Sequence, residues 1–237
     1  MGKRIRSQRL GRGTQKYRFP SHRANALVKH RLVNNEDVYG KVVDLFTSPE
    51  HTAPIAKVLY KDNKENYIFA PEGLMVGEEV GTGKKVPLKN GNTLPLSSIT
   101  IGMPIYNIES MPGDGGKFIR VAGTSARIVA KEKDRVIIQF PSKAKKDLNE
   151  NCRATLGIIA GGGRGEKPLV KAGASHHVSR ARGRRFPVTS AVAMNVVNHP
   201  FGSGRGRHMG RSSTVSRNAP PGQKVGQISA SKSGRGK

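Results

Sequence analysis

Between residues 37 and 160 the chain alternates short apolar runs with polar turns, a texture that predicts strands rather than helices. The first set covers 38–46, 55–60 and 66–70 and is rich in Val, Ile, Tyr and Phe. Ser48-Pro49-Glu50 and Lys61-Asp62-Asn63 separate these runs with turn-forming residues, and Pro71 stops the third. Gly81-Thr82-Gly83 and Lys89-Asn90-Gly91-Asn92 then interrupt the pattern and place a boundary near residue 85. A second set covers 104–108, 118–121, 126–131, 135–140 and 154–159, with Glu132-Lys133-Asp134 marking a hairpin. Short strands at this spacing favour small barrels, because a closed sheet removes its edges without a large core. The expectation is an all-β protein of two tandem small barrels, at 36–85 and 86–163.

Outside these strands the periodicity fades. The stretch 1–35 shows neither helical nor strand spacing and reads as an extended basic arm. After Gly161-Gly162-Gly163-Arg164-Gly165 the chain turns to Gly, Ser, Arg, His and Pro, with one apolar island at 188–197. The stretch 164–237 is therefore expected to be a Gly/Arg-rich extension that cannot bury enough apolar surface to offset chain entropy.

Charge sharpens this division. The 237 residues hold 42 Lys plus Arg against 16 Asp plus Glu, a net +26. Residues 1–35 carry +10 with no acid, 36–163 only +2, and 164–237 carry +14 with Glu166 the sole acid. The middle is ordinary; the ends are polycations that need a polyanion to lie against. Nucleic acid is the first candidate and an anionic membrane the second. No stretch approaches the roughly 20 apolar residues of a membrane span, and Met1-Gly2-Lys3-Arg4-Ile5-Arg6 lacks the apolar run of a signal peptide. The single cysteine, Cys152, excludes an internal disulfide framework and suits a reducing cytosol.

Candidate chemistry changes little. Gly113-Asp114-Gly115-Gly116-Lys117 resembles a phosphate cradle but lacks the Gly-x-x-x-x-Gly-Lys-Ser/Thr spacing, so a turn between strands is expected. His176-His177, His199 and His208 have no Cys or carboxylate at ligand spacing. No paired carboxylates and no nucleophile with a base stand out, so neither enzyme chemistry nor a small-molecule substrate is expected. The nearly acid-free Arg and Gly runs point instead to phosphate contact, since Arg grips phosphate bidentately and stacks on bases. On charge alone a DNA compactor remains possible beside an RNA binder; the absence of helix-turn-helix or zinc-finger spacing favours RNA.

Several motifs carry a family resemblance. Met194-Asn195-Val196-Val197-Asn198-His199-Pro200-Phe201-Gly202-Ser203-Gly204 is similar to the tail segment of the universal large-subunit ribosomal protein L-two family. Tyr67-Ile68-Phe69-Ala70-Pro71-Glu72-Gly73-Leu74 resembles its first-barrel motif, and Gly91-Asn92-Thr93-Leu94-Pro95-Leu96 with Gly102 the link between barrels. Gly115-Gly116, Arg120, Ala122-Gly123-Thr124 and Cys152-Arg153-Ala154-Thr155-Leu156-Gly157 resemble the second barrel. The opening Gly2-Lys3-Arg4-Ile5-Arg6-Ser7-Gln8-Arg9 looks like the archaeal and eukaryotic branch. Departures are Asn66 where the family often has Arg, Ser190-Ala191 for Arg-Gly, Asn198 for an acid and Ser203 for a Gly.

The resemblance implies an OB-type barrel followed by an SH3-like barrel, with both ends extended into large-subunit rRNA towards the peptidyl transferase region. It further implies a cytoplasmic ribosomal protein that supports subunit assembly and association. Its expected partners are rRNA, other large-subunit proteins and the small subunit at the interface. No cofactor is expected, with Mg2+ present only as part of the surrounding rRNA. Arg120 matches a family rRNA contact, and Asn195 and His199 match the tail motif. The expected phosphate-facing set is Arg4, Arg6, Arg9, Arg12, Arg18 and Arg23 at one end. Arg164, Arg180, Arg182, Arg184, Arg185, Arg205, Arg207 and Arg211 follow at the other, with Lys117, Arg120 and Arg153 between. His199, whose family counterpart has been considered in peptide-bond formation, reads either as a proton shuttle or as an RNA contact. With no carboxylate nearby to orient it, the contact is the favoured reading.

Overall fold

The computed structural model describes residues 2–24, 26–32 and 36–232. Residues 33–35 of the N-terminal extension and 233–237 of the C-terminal one lie outside the described residues. The chain divides into two compact units: Ser21–Pro168, and the two terminal stretches on either side of it. The first unit begins inside the basic N-terminal stretch, because Ala26 and Val28 bury against Ile55 and Phe69.

Ser21–Pro168 is built of strands: β1 Val38–Phe46, β2 Ile55–Tyr60, β3 Glu65–Phe69, β4 Glu79–Thr82 and β5 Thr93–Pro95. They continue as β6 Pro104–Tyr106, β7 Ala126–Lys131, β8 Arg135–Gln139, β9 Lys145–Asn149 and β10 Arg153–Leu156. The hydrogen-bonded order is β3-β2-β1-β4-β5-β10-β6-β7-β8-β9. Neighbours are antiparallel except at β4 and β5, which meet in parallel through Thr82 and Thr93. Among the described residues the ladder is open at both ends. Register shifts in β1 between Val42 and Asp44, and in β7 between Ile128 and Ala130, supply the local bends that curl each half.

Three elements depart from the periodicity. β4 holds one buried Val and passes Gly81, where a Cβ would lie 2.5 Å from Val86 and 2.9 Å from Tyr39. Glycine therefore sits in this strand because two side chains cross over its backbone. β9 has a single apolar residue, Leu148, and is held by its ladder with β8. The predicted strand at 118–121 reduces to one bridge between Phe118 and Ile108, because Ile119 adopts φ 53°, which leaves the extended region.

Three apolar clusters divide this unit. Val86, Leu94, Leu96, Ile99, Ile105, Ile108, Ile128, Ile138 and Leu156 fill one. Val42, Val58, Tyr60, Ile68 and Val80 fill another. Tyr106 and Ile159 join Ile55 and Phe69 in a third cluster, and the buried Tyr106 hydroxyl donates to the Phe69 carbonyl at 2.9 Å. That bond ties a strand of the second half to one of the first.

A polar cluster lies beneath the glycine loop. His30 is buried, its Nε2–H donating to the Asn107 carbonyl and its backbone N–H to the Gly115 carbonyl. Burial outweighs the facing Glu109 and Asp114 carboxylates and lowers the imidazole from 6.5 to about 4, with Arg153 adding to the depression. Between those values the unfolded chain takes up a proton that the folded chain refuses. Stability is therefore complete above about pH 6.5 and falls by about 3 kcal/mol as the pH approaches 4. Urea unfolding of the full chain should show this loss, and His30→Gln should remove that part of it. A variant that tracks wild type through the window refutes the assignment.

The terminal stretches form the second unit. Helix α1, Arg6–Gly11, and helix α2, Ala172–Ala181, appear where no periodicity predicted them. In α1 the Ile5 N–H donates to the Gln8 carboxamide at 3.1 Å, and the Ile5 side chain buries against Phe201 and Val225. One apolar residue and one cap thus start a helix in a basic run. In α2 a C-cap motif supplies the stop: Gly183 adopts φ 62°, its N–H meets the Arg180 carbonyl, and the Arg184 N–H meets Ser179.

Candidate nucleic-acid interface

Neither terminal stretch of the second unit, residues 2–20 and 169–232, contains a single Asp or Glu. Most of its arginines stand in solvent. Arg4, Arg6, Arg9, Arg12 and Arg18 are exposed at the N-terminal end, as are Arg180, Arg184, Arg205, Arg207 and Arg211 at the other. Arg182 and Arg185 are half-buried.

The fold gathers part of this set. The Lys3 N–H donates to the Val197 carbonyl at 2.9 Å, which lays the start of the chain along the tail motif. Arg4, His199 and Arg211 consequently line one cavity of about 450 Å³, together with Lys3. Arg180, Arg184 and Arg185 line a second, of about 210 Å³, together with Lys16. Residues distant in sequence thus become two concentrated patches of positive charge.

The tail motif itself is a tight loop. The Asn195 carbonyl accepts from the N–H groups of Asn198 and His199, and the His199 carbonyl accepts from Gly202. A Cβ at Gly202 would lie 2.4 Å from the Asn195 carbonyl group, so only glycine fits. His199 Nδ1 accepts from the Phe201 N–H at 3.0 Å. That bond places the ring proton on Nε2, the nitrogen free to donate to a phosphate or base. Partial burial lowers the imidazole below its ordinary value, which favours this neutral donor. Asn195 is exposed on the same loop.

In Ser21–Pro168 the candidates differ from one another. Arg23 is exposed. Arg164 is exposed and donates to the Thr52 carbonyl at 3.3 Å. Lys117 is exposed beside Asp114, at 3.2 Å. Arg120 is half-buried over the Phe69 ring, donates to the Val28 carbonyl at 3.0 Å, and keeps a buried Nε without a protein partner. Burial lowers its guanidinium from the ordinary value.

Arg153 is engaged on all three guanidinium nitrogens. Its NH2 and Nε groups meet the Glu109 carboxylate, and NH1 meets the Arg31 carbonyl. Glu109 is fully buried and also accepts from the N–H groups of Gly113, Gly115 and Arg153. Burial would raise this carboxyl, but the bonds and charge of Arg153 outweigh it and hold it below the usual range. Asp114 takes the N–H groups of Ser110, Met111 and Gly116. The glycine loop therefore spends its N–H donors on the protein's own carboxylates and is a structural turn.

Lys3, Lys16, Tyr17 and Phe186 also line the cavities, though none belongs to the expected phosphate-facing set. The local cue in the sequence is slight: Tyr17 and Phe186 each adjoin an arginine, Arg18 and Arg185. Among the described residues no group of three or more His, Cys, Asp or Glu side chains is arranged to hold a metal ion. No helix is long and apolar enough to cross a membrane among them.

Similarity to known proteins extends over nearly the whole chain. A family model described as Ribosomal Proteins L2, RNA binding N-terminal domain, matches residues 3–82. Another, described as Ribosomal Proteins L2, C-terminal domain, matches residues 89–219. The large ribosomal subunit protein uL2 of Methanothermobacter thermautotrophicus is 50% identical, over 99% of each chain. That of Haloarcula marismortui is 48% identical, over 100% of this chain and 99% of its own. That of Methanococcus vannielii is 47% identical, over 99% of this chain and 100% of its own. With both family models matched in order and identity sustained from end to end, the chain belongs to the ribosomal protein L2 family.

Proposed function

We propose that this chain is a structural constituent of the large ribosomal subunit in the cytoplasm, binding large-subunit rRNA as a scaffold rather than an enzyme. One observation carries the reading: two acid-free terminal stretches fold together and present exposed arginines as concentrated positive patches. Such a surface is strongly self-repelling until phosphates neutralise it.

The finer reading assigns the RNA to the vicinity of the peptidyl transferase region and gives the chain a part in subunit assembly and association. Its neighbours would be other large-subunit proteins and, at the interface, the small subunit. Mg2+ would take part only as a component of the rRNA. Residues 36–85 would act as an OB-type module and 86–163 as an SH3-like one. The basic ends, 1–35 and 164–237, would provide the phosphate contacts, with Lys117 and Arg120 adding to them. Arg153 would serve by holding the loop from Glu109 to Lys117 in shape.

Crosslinking the chain within assembled subunits and sequencing the attached RNA tests the assignment. Crosslinks from the two basic ends to large-subunit rRNA are expected. Equal affinity for random duplex DNA and structured rRNA in a competition assay would mark a general nucleic-acid compactor instead. His199 is expected to act as a donor to RNA, so His199→Ala subunits should assemble and retain peptide-bond formation. Loss of that chemistry in correctly assembled subunits would contradict the scaffold role.

A further inference from the structure

We infer that the 210 Å³ cleft beside α2 is a binding site for one unstacked nucleotide of single-stranded RNA, a refinement that rests on the RNA-scaffold reading above. Its lining is Lys16, Tyr17, His176, Arg180, Arg184, Arg185 and Phe186, with the Gly183 backbone. Four cations meet three rings in a unit whose sequence holds no acid.

The arrangement is built into the backbone. The α2 cap turns the chain at Gly183 and sends Arg184, Arg185 and Phe186 away from the helix axis. A Cβ at Gly183 would lie 2.5 Å from the Arg18 carbonyl oxygen, so the N-terminal segment rests directly on that turn. This contact brings Lys16 and Tyr17 to the cleft that Arg180 and Phe186 also line. The His176 ring stands 6.2 Å from that of Phe186 at 65°.

Each part of a nucleotide finds a partner here. The cations match a phosphate, and the Tyr17 and Phe186 faces match a base. Phe186 remains 37% exposed, so an apolar ring stays open to a stacking partner inside a polycationic turn. A duplex would offer its phosphates but keep its bases stacked, leaving the rings unused. An acidic peptide would likewise engage the cations alone. The rings therefore favour a splayed single-stranded residue.

The test uses the full chain and two probes: a short single-stranded RNA with 2-aminopurine at its centre, and the same RNA annealed to its complement. Binding should quench the single-stranded probe. Tyr17→Ala and Phe186→Ala should each weaken single-strand binding by about 5- to 100-fold, the range that loss of one stacked base produces. Duplex affinity should stay within about twofold, which also reports an intact terminal unit, and Phe186→Tyr should restore quenching. Tight duplex binding without quenching, or equal weakening of both probes, would overturn the nucleotide site while leaving the scaffold reading in place. Displacement by polyglutamate as effective as by single-stranded RNA would do the same. Failure of the wild-type chain to bind either probe would overturn both.

Discussion

Raising the salt from 50 to 200 mM should weaken rRNA binding by about 10³- to 10⁵-fold, the loss expected when some six to ten phosphates are neutralised. The physical cause is counterion release: each phosphate met by Arg or Lys frees a condensed cation, and added salt reverses that gain. A plot of log affinity against log salt should be linear, with a slope of about −0.7 to −0.9 per phosphate. Replacing Arg4, Arg6, Arg9 and Arg12 together with Gln should flatten the slope by up to about three. These four are exposed, and the described stretches of their unit hold no Asp or Glu, so the lost contacts are with RNA and not with protein. Filter binding across the salt range checks it. A slope near zero, or one indifferent to the four substitutions, would mean that charge is not what holds the chain on RNA.

The largest effect on stability is expected at Glu109. Glu109→Ala leaves the Arg153 guanidinium with its carboxylate removed, and strands the N–H groups of Gly113, Gly115 and Arg153. Breaking a buried ion pair from one side costs about 3–5 kcal/mol, since the surviving charge stays desolvated without its partner. The Arg153 side chain is 15% exposed and Glu109 not at all, so water has little access to compensate. Urea unfolding of the variant should show a loss of this size. A midpoint close to wild type would mean that the loop relaxes to let water in, and that the pair is not a structural hub.

The alternation of apolar and polar positions identified most strands of the central stretch, including the hairpin of β7 and β8. That was possible because residues two apart share a face of the sheet, so burial leaves its mark locally. Strands β4 and β9 left little trace: one is set by side chains crossing Gly81, the other by its ladder with β8. Helix α2 was hidden for a related reason. It buries no residue fully and relies on its cap at Gly183, so it lacks the apolar stripe that announces a helix.

The same division runs through the candidate interface. Composition alone separated two polycationic ends from a near-neutral middle, because net charge is a sum over residues and needs no coordinates. Which cations stand free is a matter of pairing, and pairing depends on folding. Arg153 and Glu109 lie 44 residues apart, and only the strand packing brings them into a buried ion pair. Tyr17 and Phe186 come from opposite ends of the chain and face one cleft because the backbone at Gly183 admits Arg18 beside it. Charge, strand texture and family likeness were written in the residues themselves. The partnership of each cation was settled by contacts between segments far apart along the chain, where burial and hydrogen-bond geometry leave room for one arrangement.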